Sequence, residues 1–153
     1  MPPDDLYFQS KNQVTPEIDF NRLIFEEKVH QSLYTDETIF RLEMEKIFGA
    51  VWVFIAHESQ IPNKNDFVTS KLGQRPLIVV RDSSGKIRAL YNRCTHRGAT
   101  VCRQTSGSAK SFSCPYHGWS YFNSGRLSNV PWPEGYADDL HDTKYNLAQV
   151  PRV

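Results

Sequence analysis

Two short stretches, Arg93-Cys94-Thr95-His96-Arg97-Gly98 and Cys114-Pro115-Tyr116-His117-Gly118-Trp119, each contain one cysteine and one histidine. One residue separates the cysteine from the histidine in the first stretch, two residues in the second, and 17 residues lie between the pairs. Each stretch follows a predicted strand, so each is predicted to be a loop. Two neighbouring hairpins would therefore bring two sulfur and two nitrogen ligands together around a metal.

Two kinds of metal centre accept this ligand set. A tetrahedral zinc ion would use all four ligands, but zinc motifs usually group Cys with Cys and His with His, at least two residues apart. A [2Fe–2S] cluster with both cysteines on one iron and both histidines on the other, as in Rieske centres, explains the interleaved order. Gly98 and Gly118 would let the backbone approach the cluster sulfurs. The residues favour the cluster and leave zinc as the alternative.

The extended motifs Cys-x-His-Arg-Gly-Ala and Cys-Pro-Tyr-His-Gly-Trp resemble the large α subunit of bacterial Rieske ring-hydroxylating oxygenases of the benzoate and anthranilate type. The resemblance implies a mainly β fold, a Rieske-type antiparallel β sandwich with a small cluster-binding subdomain, preceded by an N-terminal helical segment. It also implies that Cys94 and Cys114 hold the inner iron, while His96 and His117 hold the outer iron that changes oxidation state.

The function implied by this resemblance is one-electron transfer from a ferredoxin or reductase, ultimately from NADH, to a mononuclear non-haem iron that hydroxylates an aromatic substrate. His117 would face the catalytic domain of a neighbouring subunit in an oligomeric parent protein. The chain contains no His-x₃₋₄-His pair, so we expect the catalytic iron domain and any catalytic residue to be absent from it. A free-standing Rieske ferredoxin and a zinc-stabilised interaction module are the alternatives.

The cluster loops also differ from those of respiratory Rieske subunits, which as a family carry an extra cysteine in each loop and a serine after the second His-Gly. Ala99, Tyr116 and Trp119 occupy those positions here. Because a hydrogen-bond donor to sulfur stabilises the reduced cluster, its loss predicts a potential toward the low end of the Rieske range, roughly −150 to +300 mV.

The rest of the pattern predicts helical material ahead of antiparallel strands. Thr35 or Asp36 would cap a helix that ends near Gly49. A weaker helix is predicted over 16–30. The helix after Asp36 would bury Phe40, Met44, Ile47 and Phe48. Predicted strands cover 51–56, 67–71, 77–81, 86–91, 119–122 and 126–129, with turns at 82–85 and 123–125. We expect a tag remnant at 1–10, a helical segment at 11–48 and a Rieske domain at 49–153, with its cluster loops within 92–121.

Composition narrows the function classes. With 153 residues, 18 Lys and Arg against 17 Asp and Glu, the chain is one nearly neutral domain for which nucleic acid and anionic membranes are poor partners. The apolar run 47–56 is too short to span a bilayer, and Asp4 and Asp5 replace the basic start of a secretory signal, which predicts a cytoplasmic protein. Three cysteines, an odd number, argue against a disulfide framework.

Several residues are given structural roles at this point. Cys102 is predicted to be a buried bystander thiol, and His30, His57 and His141 to be surface or packing residues. Arg97 is predicted either to form a structural salt bridge or to contact the redox partner. Tyr116 and Trp119, which flank the second loop, are predicted to pack as core or cover and shield the cluster from water. Trp132 and Tyr136 are predicted to pack against their own domain, with an interaction surface as the alternative.

Overall fold

The structure is a computed structural model that describes residues 18–136, 140 and 142–153. The chain divides into two compact units, one ending at Val53 and the other spanning Phe54–Val153. Within the described part of the chain, no helix combines the length and apolarity needed to cross a bilayer.

The first unit contains a short helix α1 (Ser32–Thr35) and a longer helix α2 (Glu37–Lys46). Asp36 caps α2, because its carboxylate accepts the backbone N–H groups of Thr38 at 2.8 Å and Ile39 at 3.1 Å. These two donors would otherwise lack a partner in the first helical turn. Asp36 therefore begins the helix as predicted, but α2 ends at Lys46, three residues before Gly49.

The predicted apolar stripe of α2 is wrong. Ile39 is its buried side chain, while Phe40 and Ile47 are exposed and Met44 and Phe48 are only half-buried. Adjacent helical residues point about 100° apart, so burial of position 39 turns position 40 toward solvent. Because α2 stops at Lys46, the last two predicted stripe positions lie outside the helix.

The weaker helix predicted over 16–30 is also not found over the described residues 18–30. That segment holds a 3₁₀ helix at Phe20–Arg22 and a bridge between Ile24 and Val29. The N–H of Phe25 donates to the Lys28 carbonyl at 2.8 Å, so the chain turns back on itself here. Local turn hydrogen bonds replace the helical ladder.

The second unit begins its β structure with a four-stranded antiparallel sheet in the order β3-β2-β1-β4. Its strands are β1 (Asp66–Leu72), β2 (Arg75–Arg81), β3 (Ile87–Tyr91) and β4 (Ser106–Ser108). Four consecutive residues of β2, 77–80, are buried because its two faces pack into separate apolar clusters. Ile78 and Val80 belong to the cluster that also contains Cys94 and Cys114. Strand β2, one of the two inner strands, therefore shares an apolar cluster with two of the predicted metal ligands.

A three-stranded antiparallel sheet, β5-β6-β7, completes the second unit. Its strands are β5 (Ser111–Ser113), β6 (Ser120–Phe122) and β7 (Leu127–Asn129). The rings of Phe112 on β5 and Phe67 on β1 meet edge to face with centroids 5.2 Å apart, and both lie in one core. Two antiparallel sheets sharing a core confirm the predicted mainly β sandwich.

The predicted buried strand over 51–56 is wrong. No strand pairs with this segment in the described chain, and the side chains of Trp52 and Phe54 are 78% and 79% exposed. Ile55 and Ala56 are half-buried against the cluster on the outer face of the sheet. The segment crosses from the first unit to the second after Val53, and in the second unit only Ile55 and Ala56 of this segment pack against an apolar cluster. A continuous apolar run therefore does not guarantee a buried strand.

The turn between β2 and β3 is organised by a buried carboxylate. Asp82 accepts hydrogen bonds from the backbone N–H groups of Ser84 at 2.9 Å and Lys86 at 3.0 Å, and from Arg88 Nε at 2.6 Å. Burial opposes ionisation of Asp82, but the hydrogen bonds from Ser84, Arg88 and Lys86 together lower its pKa to about 2. The predicted turn at 82–85 thus depends on a charged side chain.

Replacing Asp82 by asparagine is expected to lower the free energy of unfolding by about 2 kcal/mol at pH 7, because that energy corresponds to the lowered pKa. The folded-state pKa lies below the unfolded value of 3.8, so this stability is present above about pH 4 and is lost as pH falls through about 2. Urea unfolding followed by circular dichroism at pH 7 and at lower pH measures it. The exposed Glu134→Gln variant is the control; equal loss in both variants would contradict the prediction.

Candidate metal centre

The two predicted ligand loops share one backbone arrangement. In the first, the N–H of Cys94 donates to the Ala99 carbonyl at 2.8 Å, and the N–H of Gly98 donates to the Cys94 carbonyl at 2.8 Å. The second repeats both bonds at equivalent positions, Cys114 to Trp119 at 2.7 Å and Gly118 to Cys114 at 3.0 Å. Each loop therefore holds a glycine four residues after its cysteine.

These glycines are required by the backbone conformation. Gly98 has φ +75° and Gly118 has φ +73°, a region that residues with a Cβ atom rarely adopt. Because the frame from cysteine to glycine is the same in both loops, the histidine occupies the second position after the cysteine in one loop and the third in the other. The two loops thus have the same backbone conformation although their Cys-to-His spacings differ.

The four predicted ligands are brought together as a cysteine pair and a histidine pair. Cys94 and Cys114 are both buried, and their thiols interact with each other. The rings of His96 and His117 meet edge to face with centroids 4.8 Å apart. Among the described residues, no three Cys, His, Asp or Glu side chains surround a point suited to a single metal ion. The two cysteines thus lie together and the two histidines lie together, as the two irons of the predicted cluster require.

A ring nitrogen of His96 provides a direct test of whether these residues suit a metal centre. Its Nδ1 is buried and accepts no hydrogen bond from any described residue. A buried polar atom without a partner is costly, whereas a metal ion would satisfy its lone pair. Burial, and then the charges of His117 and Arg97, lowers the pKa of His96, which favours the neutral ring that binds metal. His96 therefore fits the predicted ligand role.

The cysteine pair has the electrostatics of a site that needs a cation. Burial raises the pKa of Cys94, and the neighbouring Cys114 thiol adds to this rise. Hydrogen bonds from Tyr121 and from the backbone N–H of His96 act in the opposite direction. Two buried thiolates repel each other unless positive charge lies between them, and ferric ions supply such charge.

Tyr121 is a residue of this site that the sequence analysis missed. Its fully buried hydroxyl lies 3.1 Å from Cys94 Sγ, 3.0 Å from Thr95 Oγ1 and 3.2 Å from the Thr95 backbone nitrogen. The Thr95 hydroxyl donates to the Tyr145 carbonyl at 2.7 Å, which leaves the Tyr121 proton for Cys94 sulfur or Thr95 oxygen. The Tyr121 hydroxyl is therefore available as a hydrogen-bond donor to the Cys94 sulfur, even though Trp119 replaces the serine of respiratory Rieske subunits. The sequence does show an aromatic residue at an inward position of β6. It does not show that this residue contacts Cys94, which lies 27 positions away.

Aromatic rings cover the histidine pair unequally. Trp119 is buried and stacks on His96, with centroids 4.9 Å apart and planes 8° apart, and its Nε1 donates to the Tyr136 hydroxyl at 3.3 Å. Tyr116 stacks on His117 with centroids 3.8 Å apart, yet is 62% exposed. Trp132 is 83% exposed, so the expectation that it packs against its own domain is wrong. Its backbone is left-handed, with φ +49°, and it lies between Pro131 and Pro133.

The remaining predicted residues lie outside the two pairs. The buried Cys102 thiol donates to the Gln104 carbonyl at 3.7 Å, and burial raises its pKa. His30 and His57 each accept a backbone N–H two residues ahead, at 3.3 Å and 3.2 Å, near the start of a helix. His141 lies outside the described residues. Arg97 is exposed beside His96, and none of the described carboxylates forms an ion pair with it, so the predicted salt bridge is not found.

A Tyr121→Phe variant is expected to lower the reduction potential of the metal centre by about 60 mV. The loss of one hydrogen bond to a charged sulfur removes about 1.4 kcal/mol from the reduced state, and this equals 59 mV for one electron. A redox titration followed by electron paramagnetic resonance measures the shift. Tyr116→Phe also removes a tyrosine hydroxyl beside a ligand loop, but an exposed one, and should change the potential by less than about 20 mV. Equal potentials in both variants would exclude the Tyr121 hydrogen bond as a determinant.

The chain is similar to proteins of known activity along most of its length. It is 43% identical over 122 residues to the anthranilate 1,2-dioxygenase large subunit of Acinetobacter baylyi, covering 80% of this chain and 26% of that protein. It is 48% identical over 102 residues to the biphenyl 2,3-dioxygenase subunit alpha of Rhodococcus jostii, covering 67% and 22%. Naphthalene 1,2-dioxygenase from a Rhodococcus species, bound to indole, superimposes with a TM-score of 0.71 at 40% identity, covering 81% and 28%.

This chain therefore spans about a quarter of the length of these relatives. The family described as Rieske [2Fe-2S] domain matches residues 51–149, a range that contains both ligand loops and all seven strands. The antiparallel sheets, the paired Cys and His loops and these relatives are all consistent with a Rieske [2Fe–2S] centre. On these grounds the chain belongs to the Rieske [2Fe–2S] domain family.

Proposed function

We propose that this chain is the N-terminal electron-transfer domain of a ring-hydroxylating oxygenase α subunit. The observation that carries the proposal is the pair of matched loops, in which two buried cysteines lie together and two histidine rings meet at 4.8 Å. In this proposal Cys94 and Cys114 bind the inner iron of a Rieske cluster as thiolates, and His96 and His117 bind the outer iron. When bound, the cluster supplies reversible one-electron transfer at the outer iron.

The surrounding residues prepare the site for that chemistry. Tyr121 donates a hydrogen bond toward Cys94 sulfur, which stabilises added negative charge. Trp119 stacks on His96 and excludes water from its ring face, while the Tyr136 hydroxyl holds the indole in place. Gly98 and Gly118 adopt the left-handed backbone conformation that both loops share, and the backbone N–H of His96 donates to Cys94 sulfur. These residues orient ligands and tune the potential without themselves reacting.

We propose the following organisation for the parent protein. An N-terminal segment 11–48, which contains α1 and α2, and the Rieske domain 49–153, with cluster loops within 92–121, precede a catalytic domain whose mononuclear iron is held by two histidines and a carboxylate. A ferredoxin or reductase, ultimately oxidising NADH in the cytoplasm, supplies electrons. His117 passes them to the catalytic domain of the same or a neighbouring α subunit in a homo- or hetero-oligomer. Inter-subunit electron transfer is described for one structural relative, a quaternary ammonium Rieske monooxygenase at 29% identity and TM-score 0.70.

The proposed substrate class is an aromatic compound. Relatives named for anthranilate, toluate and biphenyl dioxygenases are 42–48% identical to this chain, whereas the carnitine-oxidising relative is 29% identical. The relative named N,N-dimethyl phenylurea N-demethylase subunit alpha, at 43%, also takes a substrate with an aromatic ring. Higher identity to the aromatic group supports an aromatic substrate for the parent enzyme.

The cluster proposal is tested by the composition of the purified chain. We expect a red-brown protein with two irons and two acid-labile sulfides per chain, and a reduced-state paramagnetic signal shifted from that of an all-cysteine cluster. One zinc per chain without sulfide would overturn the proposal. The oxygenase assignment has a separate test, the reading frame downstream of Val153. A Glu/Asp-x₂-His-x₃₋₄-His signature there supports it, and a stop codon with a complete Rieske cluster would indicate a free-standing ferredoxin.

A further inference from the structure

Charge is distributed unevenly along this nearly neutral chain. From Ser83 to Pro133 there is no Asp or Glu, while the remaining residues contain eleven Lys and Arg and seventeen Asp and Glu. Both ligand loops lie within this acid-free stretch. Its seven basic residues are Lys86, Arg88, Arg93, Arg97, Arg103, Lys110 and Arg126.

The second unit, taken by itself, is a cationic body. Residues 54–153 contain thirteen Lys and Arg and seven Asp and Glu, a formal charge of +6. Three of its described carboxylates form internal ion pairs: Glu58 with Arg81 at 2.9 Å, Asp82 with Arg88 at 2.6 Å and Asp142 with Lys144 at 3.8 Å. Asp138, Asp139, Asp142 and the exposed Glu134 come after Pro131 in the sequence. The two ligand loops, 93–98 and 114–119, therefore contain no carboxylate of their own, although Tyr136, two residues after Glu134, packs against Trp119.

Arg97 is the charge most closely tied to the metal centre. It follows His96 directly in the sequence, and its side chain is exposed. No carboxylate in the described ranges forms an ion pair with it, although Arg22, Arg41, Arg81 and Arg88 all have one. An exposed guanidinium that the described residues leave without an ion pair can offer two parallel hydrogen bonds to a carboxylate on another protein.

We propose that Arg97 is the central contact of a docking surface for a small acidic redox protein, which delivers its electron beside His96. This inference rests on the proposed function and identifies the donor by its charge. The donor loses one electron, and that electron reduces one ferric ion held by His96 and His117 to ferrous, with no bond formed or broken. The positive field of the second unit steers the acidic donor, and Arg97 fixes its position.

The test compares two charge reversals of equal size. Arg97→Glu and Lys110→Glu each lower the net charge by two. Lys110 is an exposed residue in the β4–β5 turn, separated from Cys114 by β5, a distance of about 13 Å for four extended residues. Isothermal titration calorimetry measures the dissociation constant for an oxidised plant-type [2Fe–2S] ferredoxin, an acidic protein used as the probe, at low ionic strength.

We expect Arg97→Glu to raise the dissociation constant by about tenfold or more, and Lys110→Glu by less than about threefold. Arg97→Lys keeps the charge but loses the two parallel hydrogen bonds, so its dissociation constant should lie between those of wild type and Arg97→Glu. The difference should disappear near 1 M salt, where the Debye length is about 3 Å. Equal weakening by both reversals, or none, would overturn the assignment of Arg97.

A second measurement separates this inference from the proposed function. Photoreduced 5-deazariboflavin, which is uncharged, should reduce the centre of wild type and of all three variants to the same paramagnetic signal. If that signal is present throughout and Arg97→Glu binds ferredoxin as well as Lys110→Glu does, the docking inference fails and the cluster proposal stands. If wild type gives no such signal, the cluster proposal itself fails.

Discussion

A Cys114→Ala chain is expected to be colourless and to contain less than about one tenth of the wild-type iron, because a single remaining thiolate cannot hold the inner iron of a cluster. Cys114 is buried beside Cys94 at the end of β5, and alanine offers no ligand there. Iron and sulfide analysis together with the visible absorption spectrum measures the loss.

Cys102→Ala is the matched control for this experiment. It also removes a buried thiol, so the cost of the small cavity is similar, but Cys102 lies outside both loops and contacts the Gln104 carbonyl. Its iron content and spectrum should equal those of wild type. Loss of iron in the Cys102 variant, or retention in the Cys114 variant, would show that the ligand assignment is wrong.

Replacing His117 by cysteine is expected to keep a cluster and to lower its reduction potential by roughly 200 mV or more. A thiolate adds negative charge where a neutral imidazole stood, and all-cysteine plant-type clusters lie near −400 mV, against about −150 to +300 mV for Rieske centres. Redox titration gives the potential, and the paramagnetic signal should move toward that of an all-cysteine cluster.

The control for this substitution is His57→Cys. His57 caps the 3₁₀ helix Glu58–Gln60 and accepts the N–H of Ser59, so the change adds a cysteine away from the ligand loops. Its potential should match wild type. An unchanged potential in the His117 variant would mean that His117 does not bind the outer iron.

The sequence was most informative where chemistry restricts the choice of residue. The helix cap at Asp36 and the turn at 82–85 could be predicted because short polar side chains satisfy specific backbone groups. Strand β2 was also predictable, because a strand buried on both faces reads as a continuous apolar run. The grouping of the four Cys and His side chains followed from two short motifs.

Other features depend on contacts between distant residues. The strands β4 and β5 consist mainly of serine and glycine, and pairing with β1 and β6 rather than local propensity makes them extended. Tyr121 acts at Cys94 only because β6 returns beneath the first loop. Trp52 and Phe54 are exposed. Whether an apolar residue is buried depends on the surface next to it, which the local sequence pattern does not specify.

The common frame of the two ligand loops has a consequence for protein design. Cys-x-x-x-Gly occurs in both loops with equivalent hydrogen bonds, so exchanging His96 and Arg97 would give both loops the order Cys-x-x-His without changing the position of any glycine. The two ligand loops of this chain therefore differ in the position of one histidine side chain, while their backbones are nearly equivalent. A symmetric binding site could be engineered from this scaffold by permuting two adjacent residues.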